Sequence, residues 1–83
     1  MSNITSNYSN SYAALAANAS KVAGNLTAAE ENYASAAKSG DKAKLIEAEM
    51  IYQQNQESFD AIMQMLKNKF ETMRQLIRNM ALN

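Results

Sequence analysis

The turn signal of this chain lies in residues 36–46, Ala36-Ala-Lys-Ser-Gly-Asp-Lys-Ala-Lys-Leu-Ile46. Gly40 suits the left-handed backbone conformation that often follows the C-terminus of a helix. Asp41 suits the N-cap of a second helix, because its negative charge faces the positive end of the helix dipole. The 83 residues include no Pro and only two Gly, so few other positions interrupt a helix. We therefore expect two helices joined by Ser39, Gly40 and Asp41.

On the N-terminal side of the turn, we predict an Ala-rich first helix over residues 11–38, with Ser11 as its N-cap. Residues 1–10 are polar and lack helical periodicity, so we expect them to form an extended or disordered tail. Gly24 indicates a kink or a close helix contact. A heptad stripe, with steps of three and four residues, is formed by Tyr8, Tyr12, Leu15, Ala19, Val22, Leu26, Ala29, Tyr33 and Ala36.

On the C-terminal side, we predict a long amphipathic helix over residues 42–83. This helix is longer than the first, so we expect its apolar end to extend beyond the hairpin. Ile62, Met65 and Leu76 widen its apolar face. The regular part of that face is formed by Phe59, Met63, Leu66, Phe70, Met73, Ile77 and Met80.

The composition argues against several classes of function. The chain has no His and no Cys, so it lacks the commonest general base, the thiol nucleophile and the usual zinc ligands. We therefore predict no enzyme activity, no cofactor and no metal. Eight basic and eight acidic residues give a net charge of zero, which argues against a nucleic-acid partner. No stretch is apolar enough to predict a membrane span, and the first residues do not resemble a Sec-type signal.

A two-helix hairpin cannot cover a wide apolar face by itself. Further copies of the same chain are the simplest cover, so we predict a homo-oligomeric assembly subunit. The residues expected to pack between subunits are Leu15, Val22, Leu26, Tyr33, Phe59, Ile62, Met63, Leu66, Phe70, Met73, Ile77 and Met80.

The turn, the start of the second helix and the stripe that runs to Met80 resemble the filament subunits of type III secretion systems. These are the needle proteins and the Hrp pilins of plant pathogens. The match covers residues 36–83 and rests on pattern and length. Needle proteins usually have Pro in the turn, where this chain has Ser39-Gly40-Asp41, and the Ala-rich first helix is more similar to a Hrp pilin. Both branches stay open.

The resemblance implies an all-α antiparallel hairpin that is secreted and polymerises into a hollow extracellular filament. Its implied partners are the export apparatus, tip or translocon proteins, and the unfolded effectors that pass through the filament. In such tubes the C-terminal helix faces the lumen. The resemblance therefore implies a lumen-facing polar stripe of Asp60, Gln64, Lys67, Glu71, Arg74 and Arg78.

Two alternatives accompany this prediction. The first is a small helical interaction protein, such as an inner-rod component, a chaperone or an adaptor, that forms a closed oligomer. The second is a surface-active protein that coats membranes or granules. The polar stripe has its own alternative, because an outward-facing stripe is simply solvated.

Overall fold

Two long helices form an antiparallel hairpin in this computed structural model, which describes the backbone of residues 2–82 and the side chains of residues 11–82. Helix α1 spans Ser2–Ser39 and helix α2 spans Lys42–Leu82. The molecule measures 63 × 16 × 13 Å, and no strand occurs within residues 2–82. The predicted all-α hairpin is confirmed.

The turn has the chemistry that the sequence predicts. Gly40 has a φ of 76°, in the left-handed region. The Asp41 carboxylate accepts hydrogen bonds from the backbone N–H groups of Ala43 and Lys44 at 3.0 and 3.2 Å. The Ser39 hydroxyl donates to the Ala36 carbonyl at 2.6 Å and accepts from the Asp41 N–H at 3.1 Å. These bonds satisfy groups that a helix end otherwise leaves unpaired.

The interface between the two helices is here called the seam. Its α1 side follows the predicted heptad stripe. Ala19, Ala29 and Ala36 are buried, and the small side chains let α2 approach closely. The half-buried members are Tyr12, Leu15, Val22, Leu26 and Tyr33. Tyr8 lies outside the residues whose side chains are described.

The α2 side of the seam has a different phase from the predicted stripe. Phe59, Leu66 and Met73 belong to it as expected, but the positions between them are Ile62 and Lys69. Each of these two comes one residue before the predicted member. The full set of buried or half-buried α2 residues is Leu45, Ala48, Tyr52, Asn55, Phe59, Ile62, Leu66, Lys69, Met73 and Leu76.

Polar residues in the seam explain why the phase was predicted incorrectly. Asn55 and Lys69 occupy half-buried seam positions, whereas the exposed positions next to the seam hold large apolar residues. The Asn55 side-chain amide donates to the Ile51 carbonyl at 2.8 Å, so its own helix satisfies it. Lysine suits the half-buried position 69 because its long aliphatic stem is compatible with apolar surroundings.

The N-terminal end of α1 requires a correction. The helix begins at Ser2, nine residues before the predicted start at Ser11, so the structure continues the helix through residues 2–10. That segment contains no Gly or Pro, and extending an existing helix avoids the cost of nucleating a new one. With 38 and 41 residues, the two helices have nearly equal lengths, and the predicted overhang of α2 is absent.

The hairpin has a thin core. The buried side chains among residues 11–82 are four alanines and Ile62. The radius of gyration is 18.6 Å, compared with about 12 Å for a compact domain of this length. Within residues 2–82, neither helix has an apolar stretch that could cross a bilayer. Nine large apolar side chains of α2 are exposed.

Candidate functional site

The main candidate site is an apolar row on α2, which we call the outer strip: Met63, Phe70 and Ile77. Their side chains are 45%, 51% and 59% exposed. They follow one another at intervals of seven residues, so they line one side of the helix next to the seam. Three large apolar side chains in one row form a contact surface that the hairpin leaves uncovered.

The two sides of the seam differ in chemistry. Two surface grooves of the hairpin lie on one side, where Asn18 and Asn32 of α1 face Met65 and Ile51 of α2, respectively. No residue of the outer strip lines either groove. The outer strip therefore lies on the opposite side of the seam.

Small α1 residues accompany the outer strip. Ala16 and Ala23 are half-buried although they are not in the seam stripe, and they also lie seven residues apart. The heptad places them on the side of α1 that borders the outer strip. On this side of the hairpin, the large side chains of the outer strip form a ridge, and the alanines of α1 form a groove beside it.

Other large apolar residues are also uncovered, and most of them were absent from the predicted packing set. Ile46 and Met50 are 60% and 57% exposed and lie one helical turn apart near the turn end. Their four-residue spacing, which places both on one face of a helix, was the feature of the sequence that could have identified them. The remaining exposed members are Ile51, Met65, Met80 and Leu82.

The structure divides the twelve predicted subunit-packing residues into two groups. Eight are buried or half-buried in the seam of the hairpin itself: Leu15, Val22, Leu26, Tyr33, Phe59, Ile62, Leu66 and Met73. Tyr33 and Tyr52 meet across the seam edge to face, with ring centroids 5.7 Å apart. The other four are exposed: Met63, Phe70, Ile77 and Met80.

The predicted polar stripe is exposed at all six positions, Asp60, Gln64, Lys67, Glu71, Arg74 and Arg78. Arg74 and Glu71 form an ion pair at 3.7 Å, with about half of each side chain in solvent. The Gln64 amide donates to Asn68 at 3.4 Å. Such exposed contacts contribute little to stability, so these side chains are available for contacts outside the hairpin.

Gly24 makes no close contact within the hairpin. A Cβ added at this position would meet no atom within 4 Å. The close contact within the hairpin that the sequence indicated is therefore absent. Gly24 lies on the exposed back of α1.

The described part of the hairpin has surface grooves and no metal-binding cluster. Among the described residues, no three acidic side chains come close enough to hold a metal ion. The groove near the turn, of about 330 Å³, is lined mainly by polar side chains, and the one near the open end, of about 610 Å³, includes Leu15 and Met65. Neither a known protein family, nor a curated protein, nor a solved structure matches this chain.

Proposed function

We propose that this chain is the subunit of a hollow helical filament of the type III secretion kind, a needle or a Hrp pilus. The filament would be secreted, stand on the cell surface and conduct unfolded effector proteins. The chain itself would have a structural, non-catalytic role. The observation that supports this proposal most is the outer strip, an apolar row left uncovered on a hairpin with a thin core.

The surface area of the hairpin supports self-association. The chain exposes 6336 Å², whereas a compact monomer of this mass exposes about 4,900 Å². The excess is roughly the area that one standard protein–protein interface buries. Helices with an uncovered apolar face gain stability mainly by packing, and a second copy offers the complementary surface.

The polar stripe is the proposed lining of the bore. If the outer strip contacts neighbouring subunits, the polar stripe forms a separate hydrated surface. Its net charge is +1, from Asp60, Gln64, Lys67, Glu71, Arg74 and Arg78. Such a wall offers an unfolded polypeptide neither a continuous apolar surface nor a strong electrostatic field. By resemblance, the further partners are the export apparatus and tip or translocon proteins.

Electron microscopy of the concentrated, purified protein tests the assembly. We expect long filaments of uniform width in negative stain. A discrete dimer or small oligomer by light scattering, without filaments at any concentration, would contradict the proposal and favour the closed helical interaction protein.

Cysteine labelling tests the lining. The chain has no Cys, so Gln64→Cys gives a single reactive site in the polar stripe, and Glu31→Cys on the back of α1 is the matched control. In intact filaments, we expect a bulky maleimide to label position 31 readily and position 64 only after depolymerisation. Ready labelling of position 64 along intact filaments would place the stripe outside and rule out its role as lining.

A further inference from the structure

The charges of the hairpin are separated along its length. Val22 and Ile62 lie near the midpoints of the two helices and divide the molecule into a turn half, residues 22–61, and an open half, residues 2–21 and 62–82. The turn half has seven acidic and three basic residues, a formal charge of −4. The open half has five basic and one acidic residue, a formal charge of +4. The zero net charge therefore conceals a strongly dipolar rod.

These charges are available at the surface. Fifteen of the sixteen charged side chains are exposed, and Lys69 is half-buried. The two halves extend along a molecule 63 Å long, which is far more than the Debye length of about 8 Å at physiological ionic strength. The halves of one hairpin therefore do not neutralise each other, and each half is complementary to the opposite half of a second copy.

The exposed apolar residues have the same division. Ile51 belongs to the turn half, whereas Phe70 and Ile77 belong to the open half. Phe70 follows Ile51 by 19 residues, roughly 29 Å along the helix, which is about half the length of the hairpin. A shift by half a molecule therefore brings Ile51 of one copy level with Phe70 of the next.

The directions of these side chains distinguish two ways of pairing. Ile51 lines a groove on one side of the seam, whereas Phe70 and Ile77 belong to the outer strip on the opposite side. A closed two-fold dimer uses the same face of both copies, whereas copies that run in the same direction meet through opposite faces. Apolar groups on opposite faces suit the second arrangement, which leaves both ends of the assembly open for growth.

We infer that neighbouring copies of this chain run in the same direction with a stagger of about half their length, so that the acidic turn half of one copy packs against the basic open half of the next. This inference rests on the proposed filament and specifies its subunit contact. At each level of the filament, a basic half then lies beside an acidic half. The basic residues of the polar stripe are balanced in this way by the neighbouring copy.

The dependence of assembly on salt provides the first test. Raising NaCl from about 0.01 M to about 1 M shortens the Debye length from about 30 Å to about 3 Å. We expect the critical concentration for filament formation by the wild-type chain to rise by about tenfold or more. Assembly through apolar contacts alone would be unchanged or favoured by salt, and that result would overturn the inference.

Charge reversal in the turn half provides the second test. The triple variant Glu47→Lys, Glu49→Lys and Glu57→Lys changes this half from −4 to +2, so both halves become positive. We expect a helical protein that forms no filaments by itself. The matched control, Gln53→Asn with Gln54→Asn and Gln56→Asn, changes three exposed neutral residues of the same half and keeps it at −4, so it should assemble like the wild type.

Mixing two variants tests the pairing directly. The partner variant, Lys67→Glu with Arg74→Glu and Arg78→Glu, changes the open half from +4 to −2. We expect neither triple variant to assemble alone and an equimolar mixture to form filaments, because each half then meets its opposite. A mixture that stays unassembled overturns the inference, and so does a mixture that yields only heterodimers.

The outcomes separate this inference from the proposed function. Filaments that form equally well from the turn-half variant and in high salt would overturn the half-to-half contact and leave the filament proposal standing. Absence of filaments from the wild-type chain at every salt concentration would overturn the proposed function and, with it, the contact. Circular dichroism of each variant confirms that its helices have formed.

Discussion

Two apolar rows on α2 have similar side chains and different environments. Ile62 and Leu66 in the seam are buried and half-buried, whereas Met63 and Phe70 in the outer strip are about half exposed. Each outer residue lies one or four positions after a seam residue. Position around the helix relative to α1, and not side-chain hydrophobicity, therefore decides which row stabilises the hairpin.

This difference gives the two rows separate physical roles. The seam joins the helices through small α1 residues, and Ala19, Ala29 and Ala36 let the backbones approach. The outer strip keeps about half of its side-chain surface exposed and remains available for another molecule. Large exposed apolar residues beside buried alanines support the proposal that the chain completes its packing by association.

A charge in the seam should have the largest effect on the fold. We expect Ile62→Asp to destabilise the hairpin by several kcal/mol, because it places an unpaired charge in the most deeply buried large position. Circular dichroism and thermal unfolding at low protein concentration measure the loss. Met63→Asp, one residue later in the outer strip, is the control and should keep its helices. Equal unfolding of both variants would remove the distinction between the two rows.

A charge in the outer strip should abolish assembly without unfolding the hairpin. For Ile77→Asp we expect a soluble helical monomer and no filaments, since the charge would be desolvated only in the contact with another copy. Light scattering and negative-stain microscopy provide the measurements. Gln75→Asp adds the same charge outside the strip and should still assemble. Filaments of normal length from Ile77→Asp would show that the strip is not the interface.

Removal of the cap at the turn should have a moderate effect on stability. Asp41→Ala deletes the carboxylate that binds the N–H groups of Ala43 and Lys44, and we expect a loss of about 1 kcal/mol. The change is measured by chemical denaturation. Asp60→Ala removes an exposed acidic charge in mid-helix and should cost less. Equal losses would mean that the cap contributes only through its charge.

The back of α1 should show the smallest effect. Gly24 has open space around its missing Cβ, so Gly24→Ala should stabilise the monomer by up to about 1 kcal/mol. Gly40→Ala is the opposite case, because its φ of 76° strains any residue with a Cβ. Denaturation midpoints of both variants test the difference. A Gly24→Ala monomer of increased stability that assembles poorly would add the back of α1 to the subunit contact.

The helices and their connection could be predicted from local chemistry. The left-handed conformation of Gly40 and the capping by Asp41 depend on neighbouring backbone groups, so the sequence alone is enough to predict them. The α1 stripe was also predicted correctly at every described position from Tyr12 to Ala36, because the described part of that helix has no second row of large apolar residues.

The second helix shows where prediction from sequence ends. Its Phe59–Met80 segment offers two overlapping apolar rows, and the more apolar of them, which contains Met63, Phe70 and Ile77, is the exposed one. The true seam includes Asn55 and Lys69, which a search for hydrophobic periodicity rejects. The start of α1 was predicted too late for a related reason, since polar residues give no sign that an established helix continues through them.

Local chemistry is enough to predict that this protein is helical, where its chain reverses and that its apolar surface exceeds what two helices can bury. These properties follow from local hydrogen bonding, backbone preference and composition. Which apolar row faces α1 and which remains outside depends instead on how the two helices pack against each other. That choice depends on both helices, because alanines on α1 and larger residues on α2 must interdigitate along the length of the hairpin. The residues that pack together are far apart in the sequence, so no local segment contains the information.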